Sequence, residues 1–411
     1  MTSALSGISS DRQWEVLGLL RGAPSLTRAA IGARTGLGPS QVSRITAELI
    51  GAGLVETVAA PSGRAGRPPE ALRLSGGRPW AVGLEVGGGR QRSVLVNLRG
   101  EPVLRADAPL AAGTGDEAVA GFVGQVRALA KAAGVPAGEV AAVGLALYAA
   151  VDPVAGRVVE WSEEPGWLTL WHDVDLRAEL GARLGAEAVA IDDAVRMRAV
   201  AEVRDDGAAR QADALYVLAD TGIGATLLRQ GRPDLGGNGL AGDIGHVAVD
   251  ADGAWCACGR RGCLEAVASA RAVEQAAARA GRPAPIEALV AAAAEGDALP
   301  ARLLAEAGER LADVLAPIVG MLAPGRLMVS GRLAESDAYL GAMTARLFAR
   351  LPPRLEACVA VSRARLGEDG GRLGAALAAL DALFEGRSRP GRGGETASSA
   401  VGRAGVGGRT G

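Results

Sequence analysis

An α/β protein in which a small helical head precedes a larger body is what this sequence predicts, on three observations. Short apolar-periodic segments fill residues 11–54, and from Trp80 onward β-rich stretches alternate with Ala-rich helical ones. One histidine and three cysteines gather between positions 246 and 263. A chain of 411 residues that is 49% apolar has material for two or three domains with real cores.

The head comes first. In "DRQWEVLGLLR", Trp14, Leu17 and Leu20 recur at helical spacing, and "SLTRAAIGARTG" makes a second short helix closed by Gly36. A third helix lies in "LGPSQVSRITAELIGAGLV", where Val42, Ile45 and Leu49 share one face. That leaves Ser40, Gln41, Ser43 and Arg44 near the helix start and available to double-stranded DNA, a helix-turn-helix pattern. The segment "VETVAAPSGRAGRPPEALRLS" then predicts two short strands around a Gly/Pro/Arg turn, as in a winged helix. Arg64 and Arg67 on that turn are placed to reach DNA backbone or minor groove. The plainer alternative for the three helices is a packing or dimerisation module.

Charge adds a modest argument. Net charge is −2, so no global basic field announces a polyanion, yet residues 1–79 carry nine Arg against five acids. The chain has a single lysine, Lys131, so some of that Arg only follows composition. No apolar run approaches the ~18 residues that span a bilayer, and the N-terminus lacks a signal-peptide pattern. A cytoplasmic protein without membrane contact is expected.

In the body, "WAVGLEVGGGRQRSVLVNLRGEPV" predicts a hairpin with glycines where a phosphate loop would lie, and "AVGLAL", "AVAID" and "ALYVLADTGIGATLL" predict further buried strands. Long Ala-rich helices follow from Ala270. The final "GRSRPGRGGETASSAVGRAGVGGRTG" has almost nothing to bury and is expected to be disordered. The predicted division is therefore a head over 1–78, a body over 79–385 and a tail over 386–411.

Of the four cysteines, three lie within eight positions, ten residues after His246. A disulfide framework is unexpected in a reducing compartment. His246, Cys256, Cys258 and Cys263 make a Cys3His set suited to tetrahedral structural zinc, with Gly259 and Gly262 letting the backbone turn tightly between ligands. The spacing H-x9-C-x-C-x4-C differs from the common paired C-x2-C ribbon, so on spacing alone a redox or incidental cluster stays open.

"LAGDIGHVAV" followed by "CACGRRGCLEAVAS" resembles the signature of the ROK family, which groups sugar kinases with sugar-responsive bacterial repressors. The resemblance runs over roughly residues 10 to 385. It implies the two-lobed actin-like ATPase fold of sugar kinases, a structural zinc (Zn2+) on His246, Cys256, Cys258 and Cys263, and a sugar contact from Glu265.

Further positions follow from that resemblance. "IDDAV" retains Asp193 at the catalytic-base position and puts Asp192 where the family has a sugar-binding Asn; "GDIGH" carries Asp243 in place of Glu; Tyr148-Ala149 replaces a Pro-Gly. A sugar site of Asp192, Asp193, Asp243, His246 and Glu265 is implied. Phosphoryl transfer needs glycine-lined amides, a metal and a carboxylate base. Here the D-x-G-G-T loop is "EVGGG", with Glu85 for Asp and Gly89 for Thr; the G-T-G-I-G loop starts with Asp220; and a Gly-Gly has become Ser330-Gly331. All three changes lie on the ATP side, so a body without catalysis is expected and Asp193 is a vestigial base. Trp161, Trp167, Trp171 and His172 are expected to pack as hydrophobic groups rather than stack on sugar. The resemblance as a whole implies a transcriptional regulator, a repressor acting on an operator as a homodimer or homotetramer and answering to a sugar or sugar derivative. An active ATP-dependent sugar kinase with an appended DNA-binding domain is the alternative.

Overall fold

The computed structural model of the chain describes residue 8 and residues 10–59, 70–87, 89–110, 115–158, 174–204, 213–237 and 239–388. The head begins with α1 (Asp11–Arg21), opened by a capping box in which Ser10 accepts the Gln13 amide and Gln13 returns a bond to the Ser10 amide at 3.0 Å. Helix α2 (Arg28–Thr35) starts on a Thr27 cap and stops at Gly36, which takes the left-handed conformation. Helix α3 (Pro39–Gly51) has proline in its first turn, and its Val42, Ile45 and Leu49 are buried as their spacing predicts. Strands β1 (Val55–Ala59) and β2 (Glu70–Leu74) pair antiparallel from Val55↔Leu74 to Ala59↔Glu70. The expected turn with Arg64 and Arg67 lies outside the described residues.

The body repeats one sheet plan twice. In the first lobe β3 (Trp80–Gly87), β4 (Arg90–Val96) and β5 (Pro102–Pro109) form an antiparallel meander, and after α4 (Gly115–Ala132), β6 (Val140–Leu147) lies parallel to β3. A short ribbon of β7 (Val151–Asp152) and β8 (Arg157–Val158) leads on to α5 (Leu176–Leu184), and β9 (Ala188–Asp193) completes the order β5-β4-β3-β6-β9. Helix α6 (Ala194–Arg204) follows directly. In the second lobe β10 (Ala214–Ala219), β11 (Ile223–Arg229) and β12 (Arg232–Pro233) form the meander. Helices α7 (Leu264–Ala268), α8 (Ala270–Arg279), α9 (Ile286–Ala294) and α10 (Ala298–Leu322) intervene before β13 (Arg326–Ser330). Then come α11 (Asp337–Arg350), α12 (Pro353–Glu356) and β14 (Ala360–Arg363), giving the order β12-β11-β10-β13-β14. Antiparallel strands followed by parallel crossovers in both sheets are the expected two-lobed α/β body.

The last described helix returns to the first lobe. Helix α13 (Gly370–Ser388) lies across β3 and β6 so closely that a Cβ at Gly83 or Gly144 would stand 1.9 Å from the carbonyl oxygen of Arg372 or Ala375. The same helix reaches the head: Trp14, Leu17 and Leu20 share one apolar core with Leu380, Leu383 and Phe384. Trp14 and Phe384 meet edge to face with centroids 5.9 Å apart. Helix α13 runs to Ser388, three residues into the segment expected as the tail, and is anchored by buried Leu383 and Phe384. Residues 389–411, with the expected disorder, lie outside the described residues. No helix among the described residues is long and apolar enough to cross a membrane.

Candidate functional site

Three places collect the residues singled out from sequence. On α3, Ser40, Gln41, Ser43 and Arg44 are all exposed. Gln41 Oε1 accepts the Gly38 amide at 3.1 Å, which steadies the helix start and leaves the side-chain NH2 to donate outward. Arg44 rests on Glu48 at 2.8 Å, an exposed i,i+4 pair worth ~0.3–0.5 kcal/mol, so a nucleic-acid acceptor competes for it easily.

The second place is the loop after β12. His246 Nδ1 lies 3.4 Å from Cys256 Sγ, Cys258 and Cys263 sulfurs are 3.5 Å apart, and all four ligand atoms fall within 4.8 Å of one another. Tetrahedral zinc with thiolates at ~2.3 Å needs sulfurs roughly 3.7 Å apart, so the set fits the ion with little rearrangement. Gly262 makes the turn possible: at φ +62° its Cβ would fall 1.5 Å from the Asp250 carbonyl oxygen. Burial, followed by the neighbouring thiols, pushes Cys263 up to about 12. A divalent cation is the group that would turn such thiols into ligating thiolates.

The third place holds the remaining sugar-site candidates, in two groups. Asp193 ends β9 and caps α6, its Oδ1 accepting the amides of Val195 at 2.8 Å and Arg196 at 3.2 Å. Burial raises its pKa to about 6, opposed by Arg196 and assisted by the Asp192 charge. Asp192 itself is paired with an arginine. Arg196 Nε holds it at 2.7 Å and spreads its other donors to the Gly239 carbonyl at 3.1 Å and the Val151 carbonyl at 2.9 Å. In the second lobe Asp243 Oδ1 stands 3.9 Å from His246 Nε2, and its pKa is raised by burial against the pull of His246. Glu265, at the start of α7, accepts the Ile223 amide at 3.1 Å. The structure thus groups Asp243, His246 and Glu265 beside β11, and sets Asp192 and Asp193 at the junction of β9 and α6. Trp161, Trp167, Trp171 and His172 lie outside the described residues.

The leading carboxylate of each phosphate-type loop, Glu85 or Asp220, is held in an ion pair by one of the protein's own arginines. Glu85, 1% exposed, accepts from Arg198 Nε at 2.9 Å, from Arg198 Nη2 at 2.6 Å and from the Tyr148 hydroxyl at 2.9 Å. Burial and the Glu85 charge hold the Tyr148 phenol well above its ordinary range. Asp220 is clamped by Arg332 through Nη2 at 2.5 Å, Nε at 3.0 Å and the backbone amide at 3.0 Å, and Arg332 also reaches Glu287 at 2.7 Å. Burial alone would raise the Asp220 carboxyl, but the Arg332 bonds hold it below its usual range. Asp220 is therefore an anion neutralised by Arg332. Ser330 Oγ donates inward to the Val217 carbonyl at 3.2 Å. Arg196, Arg198 and Arg332 were missed from sequence. For Arg196 and Arg198 the available signal was "AVRMRAVAEVR", where the charges alternate with apolar residues and leave no solvated face.

A winged-helix head on a two-lobed, kinase-like body with a Cys3His loop defines a class of DNA-binding regulators built on a sugar-kinase scaffold. This chain belongs to the ROK family, whose model matches residues 81–382, and its head matches the MarR family over residues 6–67. The DNA-binding transcriptional dual regulator NagC of Escherichia coli K12 is 24% identical over 334 residues, 77% of this chain and 79% of that protein. An N-acetylmannosamine kinase of Pasteurella multocida is 30% identical over 192 residues, and the match spans 47% of this chain and 64% of the kinase. In fold, the chain is similar to the crystal structure of a ROK family transcriptional regulator described as a homologue of the E. coli MLC protein, with TM-score 0.76, 24% identity and coverage of 92% and 98% of the two chains. The ROK hexokinase of Thermus thermophilus superposes with TM-score 0.62 at 27% identity, over 74% of this chain and 99% of the enzyme.

Proposed function

We propose that this chain is a repressor of carbohydrate-related genes: residues 1–78 bind an operator, and residues 79–385 sense a sugar or sugar derivative without phosphorylating it. The observation that carries this reading is that Glu85 and Asp220, the leading carboxylates of both phosphate-type loops, are taken up by Arg198 and Arg332 while the start of α3 stays exposed. Nucleotide phosphates would have to displace two Arg–carboxylate pairs, one of them fully desolvated, before meeting any backbone amide. The regulator NagC and the MarR-type head support the assignment to transcription. Zinc on His246, Cys256, Cys258 and Cys263 would brace the loop that carries Asp243. Asp193, Asp243, His246 and Glu265 are the side chains set to accept and donate to ligand hydroxyls, and a homodimer or homotetramer would present two heads to a palindromic operator.

Two measurements test this together. A duplex selected from a random pool is titrated with wild type and with Gln41→Ala and Arg44→Ala, each expected to lose ~1–3 kcal/mol of preference for the selected site. Sugars are also incubated with ATP and Mg2+, with no phosphorylation expected. The second reading, an active kinase with an appended DNA-binding head, is favoured only by the retained Asp193 and the likeness to kinases. Turnover that disappears in Asp193→Asn would establish it in place of the silent sensor.

A further inference from the structure

Helix α6 carries four charged side chains into the interior, and each holds a different part of the protein. Arg196 ties Asp192 to the segments at Val151 and Gly239. Arg198 ties Glu85 and the Gly367 carbonyl, the latter at 2.8 Å. Glu202 accepts the amides of Arg365 at 2.6 Å and Leu366 at 3.1 Å. Arg204, in the last turn, bonds Asp381 Oδ2 on α13 at 3.0 Å. Arg196, Arg198 and Glu202 are each no more than 4% exposed. Unpaired, such buried charges would be strongly destabilising, so α6 cannot shift without carrying these partners or breaking strong bonds.

The far end of this spine meets the head. The same Asp381 carboxylate accepts Arg21 of α1 on its other oxygen, with Nε at 2.9 Å and Nη2 at 2.6 Å. Arg21 also donates to the Leu377 carbonyl at 3.2 Å and covers the Phe384 ring at 4.7 Å, so the last turn of α1 is seated on α13. Between α6 and α13 the backbones touch: a Cβ on Gly374 would lie 1.8 Å from the Met197 carbonyl oxygen. A helix of this length, roughly 16 Å, therefore runs from the Asp193 cap to a carboxylate shared with the DNA-binding head.

We infer that Asp381 is a positioning residue for the DNA-binding head, transmitting the setting of α6, whose first turn is capped by Asp193, to α1 through the bridge Arg204–Asp381–Arg21. The inference rests on the regulator reading for its purpose but not for its test. A displacement of α6 by a bound ligand would pull one oxygen of Asp381 while Arg21 holds the other, and the head is set by where that carboxylate stands.

The test needs no effector. Amide hydrogen exchange of residues 11–21 and affinity for the selected duplex are measured in wild type, Arg204→Gln, Asp381→Asn, the double variant, and Arg302→Gln as a control in an exposed i,i+4 pair. Asp381→Asn, which weakens both ion pairs, should speed α1 exchange and weaken duplex binding by roughly threefold or more; Arg204→Gln should act in the same direction but less, and should add nothing to Asp381→Asn, because the inferred route from Arg204 to α1 runs through that carboxylate. Wild-type exchange in α1 for Arg204→Gln overturns the inference, as does additivity in the double variant. Acceleration spread evenly over all amides overturns it too, since that is what loss of global stability gives. Should no duplex be selected at all, the regulator reading fails while the exchange result still decides whether α6 positions the head.

Discussion

Arg198 grips Glu85 with two hydrogen bonds, at 2.9 and 2.6 Å, and the two side chains are only 5% and 1% exposed. A pair this withdrawn from water is costly to break from one side. Glu85→Ala should lose ~3–5 kcal/mol of stability, because Arg198 would be left charged and buried. The double variant Glu85→Leu with Arg198→Met should lose less than Glu85→Ala alone, since replacing both partners by apolar groups removes the desolvation cost along with the bonds. Urea unfolding of the three proteins checks this. A double variant less stable than Glu85→Ala would mean that the pair supplies more than mutual neutralisation.

Metal removal is the next expectation. Purified under reducing conditions without chelator, the protein should hold about one zinc per chain, and Cys258→Ala should lose it. With two sulfurs at 3.5 Å and His246 Nδ1 at 3.4 Å from a third, stripping the ion leaves crowded thiols with no cation between them. Chelation should therefore lower the Tm and speed amide exchange over residues 246–265 before it affects the head. Elemental analysis with no zinc, or an unchanged Tm on chelation, would count against a structural ion.

Sequence patterns located the elements whose information is local. The spacing of Val42, Ile45 and Leu49, the Gly36 stop and the Cys256/Cys258/Cys263 run each declare themselves within a few turns of chain, and each is found as expected. What sequence did not reveal is pairing at a distance. Glu85 in a phosphate-type loop looked like a lost ligand, but its partner Arg198 is 113 residues away. Asp220 looked like a changed residue of the second phosphate-type loop, but Arg332, 112 residues on, pairs with it. Helix α6 shows no amphipathic stripe because its charges are buried against several elements at once, so a periodicity argument has nothing to detect. The mounting of the head on α13 was equally hidden, because Trp14 and Phe384 lie at opposite ends of the described chain.

The pH dependence of Asp193 follows from its place. Burial lifts its pKa from 3.8 to about 6, so between those values the folded protein keeps a proton that the unfolded chain has released. The stability linked to this group is therefore greatest at the acid end and is lost as pH rises through about 6. Asparagine retains an oxygen for the Val195 and Arg196 amides and carries no charge. Asp193→Asn should thus be more stable than wild type by on the order of 1–2 kcal/mol near neutral pH, and the gap should close toward about pH 4. Unfolding midpoints across that range measure it; a gap that widens on acidification would reverse the sign and contradict a raised pKa.

The last expectation concerns Glu265 and signalling. An effector changes operator affinity only if it binds one setting of the heads better than another, because equal affinity for both shifts nothing. Glu265 is a candidate effector-binding carboxylate outside the Cys3His set, whereas His246→Ala would break that set at the same time. It is not idle without ligand, since its Oε2 accepts the Ile223 amide at 3.1 Å. Glu265→Ala should therefore cost about 1–3 kcal/mol of stability for the orphaned amide, spare zinc content, and remove the ligand's effect on operator binding. Glu265→Gln keeps an acceptor for Ile223 and should lose little stability, yet it should weaken the ligand response about tenfold, because a neutral acceptor holds a hydroxyl less strongly than a carboxylate. The ligand is found by thermal shift over sugars and sugar phosphates, since binding to the folded state raises the melting temperature by mass action. Operator titrations with and without it are then run at one salt concentration, because the phosphate contribution varies steeply with salt. A full ligand effect in Glu265→Ala, or none in wild type, would show that this site does not govern the head.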